Sequence, residues 1–457
     1  MPVSSLHYKD LKFHLHPQTD LLSHQKKGPH VFVEGKGIYV RDEAGREYIE
    51  GVSGLWCASL GFSESRLAEA ANKQLLELPF YHNFSHRTVP VVANLAEKLI
   101  SISPDPMSKV FFTNSGSEAV DSMVKIVWYY NNVRGLPEKK KIISRHGAYH
   151  GITVVASSLT GLSYAHELFD TPIDRFLHVS CPHYYHSGAG DETETEYATR
   201  LAVELEELIL EEGPGTIAAF VAEPIMGAGG VLLPPETYFD KIQAVLRKYD
   251  ILFVADEVIC GFGRTGNGFG SETCKFVPDI MIVAKALSAG YMPIGGVLIT
   301  DDIYETLVEG SRQVGIFGAG FTYSGHPVSC AVALETLRIY EERQIFARVR
   351  DITPHFLARL NAFSDHPLVG ETRGIGLIGG VELVKDKVTR KNFDPALKVG
   401  HKVTGLAAEK GLLVRPLRND TIAFCPPLII SREQIDEMFD LFGMALDEAA
   451  GAINTAM

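Results

Sequence analysis

The sequence predicts an α/β protein: a mainly parallel sheet of seven strands flanked by helices, with a smaller α+β part built from both chain ends. Three observations carry this. Short apolar, β-branched runs at 109–113, 141–144, 176–179, 217–222, 251–255, 280–284 and 296–300 read as buried strands. Helical patterns such as 196–211 and 235–248 separate several of them, the alternation of a sheet covered on both faces. At 457 residues the chain exceeds what one compact core usually holds, so two domains are expected.

Taken in order, residues 1–28 form an arm with helical stretches, and 31–50 alternate apolar and polar residues around two Gly-containing turns, as a small antiparallel meander does. A loop at 51–61 carries Trp56, and helices follow at 65–78 and 89–102. The strand at 109–113 stops at Asn114-Ser115-Gly116-Ser117-Glu118, from which helical spacing runs to about Tyr130. Strand, Gly/Ser turn and helix N-terminus together make an anion site, because free backbone N–H groups and the helix dipole favour negative charge. A serine there also serves as an ordinary N-cap. Beyond 325 the texture changes: a long helix from 326 running past 345, strands and turns at 369–384, a helix at 395–410, short strands near 412–415 and 421–425, and a closing helix at 431–448. The expected division is 1–60 as arm and meander belonging to the smaller part, 61–325 as the large domain, and 326–457 as the C-terminal small domain.

Composition narrows the function. A hydrophobic content of 46% with 22% charged residues describes an ordinary globular chain, and a net charge of −13 disfavours nucleic acid as the main partner. The six cysteines (Cys57, Cys181, Cys260, Cys274, Cys330, Cys425) are scattered without a CxxC pair, the usage of reduced thiols. No basic-then-apolar leader opens the chain, and no run approaches the ~18 apolar residues a membrane helix requires. A cytoplasmic location is expected, with no membrane partner.

The chemistry centres on Asp256, at the end of Phe253-Val254-Ala255, and Lys285, just after Ile282-Val283-Ala284. Two buried strands thus deliver a carboxylate and an amine to one rim of the sheet. Such burial is costly without a partner or a task. One task suits both: holding pyridoxal phosphate, with the acid at the ring nitrogen and the lysine as covalent anchor and proton carrier. A metal hydrolase drawn from His178, His183 and His186 lacks an accompanying HExxH pattern. A non-catalytic binding protein on the same fold would retain the cofactor residues without turnover.

The block Asp256-Glu257-Val258, Gly261-Phe262-Gly263-Arg264-Thr265-Gly266, Pro278-Asp279-Ile280, Lys285-Ala286-Leu287 and Pro293-Ile294-Gly295-Gly296 resembles the class III aminotransferases, pyridoxal phosphate enzymes of fold type I. The resemblance covers nearly the whole chain. It implies that Lys285 carries the cofactor, that Asp256 pairs with its ring nitrogen, and that Val258 and Tyr149 flank the ring. Tyr149 lies in Gly147-Ala148-Tyr149-His150-Gly151, whose His150 is also assigned to the cofactor site. Ser115, Gly116 and Ser117 would bind the phosphate. Thr322 would reach the phosphate of a neighbouring subunit, which makes a homodimer with shared sites a catalytic requirement and leaves a tetramer open. Glu223, in Ala222-Glu223-Pro224, would hold the hydrogen-bond network on the cofactor side.

Two positions bear on substrate. Relatives that use 4-aminobutyrate or ornithine with 2-oxoglutarate usually carry Glu where this chain has Ala228, and Arg415 matches the mobile carboxylate-binding arginine of the amine:pyruvate transaminases. Trp56, Phe84 and Tyr149 match the aromatic walls of that subgroup's pocket. No metal is expected. The implied reaction is ping-pong transfer from an ω-amino compound or primary amine to an oxo acid, most simply pyruvate, through pyridoxamine phosphate. The alternatives are a 2-oxoglutarate-dependent enzyme, or a decarboxylase or racemase of the same fold.

Overall fold

In the computed structural model, which describes residues 5–456, fifteen strands form three sheets. They are β1 (Phe32–Lys36), β2 (Tyr39–Asp42), β3 (Glu47–Glu50), β4 (Met107–Thr113), β5 (Lys141–Arg145), β6 (Phe176–Val179), β7 (Ile217–Ala222), β8 (Leu252–Asp256), β9 (Ile280–Val283), β10 (Gly295–Thr300), β11 (Val369–Ile375), β12 (Ile378–Leu383), β13 (Leu412–Leu413), β14 (Arg415–Pro416) and β15 (Thr421–Phe424). The large sheet has seven strands in the order β4-β10-β9-β8-β7-β5-β6. Only β10 runs against its neighbours; the pairs β9-β8, β8-β7, β7-β5 and β5-β6 are parallel.

The all-apolar strands have a direct cause. Along β7, β8 and β9 successive side chains enter opposite cores, as a period of two requires. Ala219, Val221, Val254, Ile280 and Ile282 pack with Val120, Val124 and Val127 of helix Gly116–Val133. Phe220, Ala222, Phe253, Ala255, Met281 and Val283 face the other way, toward Leu205, Tyr238 and Ile242. Both faces are covered, so no position in the centre of β7 or β9 is polar, and each fully buried Val, Ile or Phe contributes about 1.5–3 kcal/mol.

The meander β1-β2-β3 joins the chain's far end by parallel pairing of β3 with β13 (Ile49 opposite Leu412, Glu50 opposite Leu413). The third sheet, β11-β12-β15-β14, presents Arg415 at its edge, opposite Ala423.

Three expectations from the sequence are corrected. The helix from 326 is two helices, Pro327–Glu342 and Ile345–Asn361, separated at Gln344 with φ +49°. Neither Gly nor Pro marks that break, so the apolar period alone runs straight through it. The segment 395–410 is interrupted at Lys398, φ +48°, between a 3-10 turn Pro395–Leu397 and helix Val399–Lys410. The closing helix is longer than its apolar pattern, Arg432–Ala456. Among the described residues no helix is long and apolar enough to cross a membrane.

Candidate active site

Charged and polar residues collect where the parallel strands end. Asp256 closes β8, Arg145 closes β5, and Glu223 follows β7. Lys285 lies two residues beyond β9, and Ser115 two beyond β4. Carboxyl ends of parallel strands form the crevice of open α/β sheets. One pocket there is lined by Ser115, Gly116, Ser117, Tyr149, His150, Gly151, Glu223, Asp256, Val258, Ile259, Ala284 and Lys285. Eight of the nine residues expected to hold the cofactor meet in it.

Its anion end is built by a capped helix. Ser115 is extended (φ −157°) and its Oγ accepts the N–H of Glu118 at 3.2 Å, while the N–H of Asn114 donates to Glu118 Oε2 at 2.7 Å. The N–H groups of Gly116 and Ser117, first in the helix, have no intrahelical acceptor and open into the pocket. Gly116 suits close approach, since a Cβ there would lie 3.3 Å from Val258 Cγ2. Gly295 is more constrained: a Cβ would sit 2.6 Å from the Ser115 carbonyl oxygen and 2.7 Å from Thr113 Oγ1. Gly295→Ala is therefore expected to cost about 1–3 kcal/mol by overpacking and to loosen phosphate retention by displacing the Ser115 turn. Thermal unfolding and cofactor titration check this; an unchanged melting point and affinity would contradict the close packing.

On the floor, Asp256 is 3% exposed. Its Oδ1 accepts the N–H of Val258 at 3.1 Å, and its Oδ2 lies 2.7 Å from Nδ1 of His150. The backbone N–H of His150 is held by Thr160 Oγ1 at 2.9 Å, while its Nε2 is buried without a partner. Glu223 accepts the N–H groups of Tyr149 (3.1 Å) and Gly227 (2.9 Å), tying the Tyr149 backbone to the loop that carries Ala228. Burial pushes the Glu223 carboxyl above its ordinary range.

Lys285 opens a 3-10 turn with φ +45°, a conformation few non-glycine residues adopt. Burial lowers the pKa of its amine, and the Asp256 charge opposes that shift. The pocket thus offers an anion cradle, a fixed carboxylate, the apolar Val258 and the aromatic Tyr149 in its lining, and an amine whose proton burial makes easier to lose. These features fit a flat heteroaromatic phosphate with a protonated ring nitrogen and a carbonyl, as in pyridoxal phosphate.

Not every expected residue converges. Thr322 and Phe84 are exposed and lie together on another patch, where a Cβ at Gly320 would come 2.8 Å from the Phe84 ring. Trp56, 4% exposed, packs in an apolar cluster with Ile225 and Ile259. Ala228 and Arg415 are half-buried, and the Arg415 charge acts on Tyr149 and Tyr164. His178, His183 and His186 do not assemble as a triad. His178 stacks on His146, whereas His183 and His186 approach Glu382, already paired with Arg373 at 2.7 Å.

Sequence reading passed over several supports. Arg145, 1% exposed, donates to the Glu223 carbonyl at 2.7 Å; a charge ending a buried strand, the signal that singled out Asp256, was present there too. Glu257 is fully buried, accepts the N–H groups of Gly270 (2.8 Å) and Ser271 (2.6 Å), and is pushed up to about 7 by burial. Arg373 donates to the Gly230 carbonyl oxygen at 2.6 Å and so anchors the Ala228 loop. Arg418 comes up to Gly147.

A profile of the family described as Aminotransferase class-III matches residues 22–446. Gamma aminobutyrate transaminase 1, mitochondrial, of Solanum lycopersicum is 51% identical over 421 residues, 92% of this chain and 82% of the relative. Vanillin aminotransferase of Capsicum frutescens is 52% identical over 92% of each chain. Among solved structures, the omega transaminase from Pseudomonas jessenii in complex with PMP superposes with a TM-score of 0.97 at 51% identity, covering 99% of both chains.

Proposed function

The chain belongs to the class III aminotransferases, pyridoxal phosphate enzymes of fold type I, and on that premise we propose that it transfers the amino group of an ω-amino compound or primary amine to pyruvate. Pyridoxal phosphate, when bound, supplies a protonated, electron-withdrawing ring conjugated to the substrate carbon. The chain's residues do the rest. Ser115, Gly116 and Ser117 hold the phosphate through a hydroxyl and free N–H groups. Asp256, fixed by Val258 and His150, keeps the proton on the ring nitrogen. Tyr149 and Val258 would flank the ring, and Glu223 fixes the Tyr149 backbone. The Lys285 amine, whose deprotonation burial favours, would anchor the cofactor and take up the proton from the substrate carbon. Exposed Thr322 and Phe84 complete the site of a second copy in a homodimer.

The observation that carries the acceptor is Arg415. Its side chain is half-buried, its charge acts on Tyr149, its guanidinium makes no ion pair or hydrogen bond among the described residues, and Ala228 supplies no counter-charge. A free guanidinium suits a bidentate carboxylate. Arg415→Ala is expected to raise the KM for the oxo acid roughly 10–100-fold, the loss of a charged hydrogen-bonded pair, with a smaller effect on kcat.

A second reading, 2-oxoglutarate as acceptor, is favoured by Arg418, a second cation at the rim beside Gly147. Equal pyruvate and 2-oxoglutarate with one donor separates the two. 4-Aminobutyrate, the compound in the tomato relative's name, is the first donor to supply. Alanine as the main product supports pyruvate; glutamate as the main product, with loss of turnover in Arg418→Ala, supports the second reading.

A further inference from the structure

The N-terminal arm carries a cluster that amino transfer does not use. Helices Ser5–Phe13 and Leu21–Lys27, with the turn between them, bring Asp10, His14, His16 and His24 together. Asp10 Oδ2 lies 3.3 Å from His14 Nδ1 and 2.9 Å from His16 Nε2, and its Oδ1 lies 3.0 Å from His24 Nε2. The ring centroids of His14 and His16 are 4.4 Å apart, and those of His16 and His24 4.0 Å. Donor atoms of Asp10, His14 and His16 all fall within 4.8 Å of one another.

Imidazole nitrogens with one carboxylate oxygen are a zinc donor set, and tetrahedral ligands about 2.0–2.1 Å from the ion stand roughly 3.4 Å apart. The Asp10–His14 and Asp10–His16 separations already stand at or inside that spacing, and the remaining pair of donor atoms lies within 4.8 Å. His183, His186 and Glu382 are the other grouping of ligand type among the described residues, but Arg373 already neutralises Glu382 there.

We propose that Asp10, His14 and His16 bind one divalent transition-metal ion of the zinc class. His24 holds the second oxygen of Asp10, as carboxylate ligands are commonly oriented from outside, and water takes the open position. The ion ties the first arm helix to the turn that follows. Within that turn Gln18, φ +45°, reaches the Tyr149 side chain. Metal therefore fixes a piece of the arm against the wall of the pocket, although the site itself does not depend on the acceptor or donor proposed above.

The test is calorimetric titration of untagged holoenzyme, stripped with chelator and dialysed, with Zn²⁺. One ion per chain is expected, with affinity reduced at least tenfold in His16→Gln and in His14→Gln and unchanged in His183→Gln. The His14 side chain is 59% exposed, so its variant keeps the fold. Absence of Zn²⁺ binding, binding that survives both arm variants, or binding lost in His183→Gln would overturn the proposal.

Discussion

Replacing Lys285 by alanine is expected to lower kcat by at least ~10³-fold, about 4 kcal/mol of barrier, because one side chain supplies both the covalent anchor and the proton carrier. The protein should nonetheless fold. The Lys285 amine makes no ion pair or hydrogen bond among the described residues, and its burial disfavours the charged form; removing a buried amine relieves a desolvation cost. The melting temperature of the cofactor-free variant should equal or exceed that of the cofactor-free wild type. Loss of activity with a lowered melting temperature would assign Lys285 a structural role instead.

Asp256→Asn keeps the shape of the floor and an acceptor for the Val258 N–H, but removes the charge. The expected loss is roughly 10²–10³-fold in kcat, about 3–4 kcal/mol, the scale of deleting one preorganised electrostatic partner. A second readout tests the geometry directly. Burial lowers the Lys285 pKa and the Asp256 charge raises it, so Asp256→Asn should drop it further. In the cofactor-free variant, reaction of Lys285 with an amine-directed reagent should reach half-maximum at a lower pH than in wild type. An unshifted profile would mean that the two groups do not share one field.

Much of this was legible in the chain because burial leaves a simple signature. The seven strands stand out as apolar runs since both sheet faces are covered, and Asp256 and Lys285 stand out because nothing else polar interrupts those runs. The Ser115-Gly116-Ser117 turn was readable for a related reason: a strand that stops at small polar residues before a helical period leaves free N–H groups by geometry. Illegible features depend on contacts distant in sequence. The break at Gln344 carries no Gly or Pro. Gln18 finds Tyr149 only through the folded arm, and Arg373 acts on a loop over a hundred residues away. Thr322 and Phe84 lie apart from this chain's pocket, a placement that no local pattern encodes.

Lys285 is the proposed anchor of the cofactor in the pocket that Asp256 floors. Borohydride reduction of the holoenzyme followed by peptide mapping reads this out directly. One phosphopyridoxyl group per chain is expected, on the peptide containing Val283-Ala284-Lys285-Ala286. A stoichiometric label on any other lysine, or cofactor lost on denaturation after reduction, would contradict it.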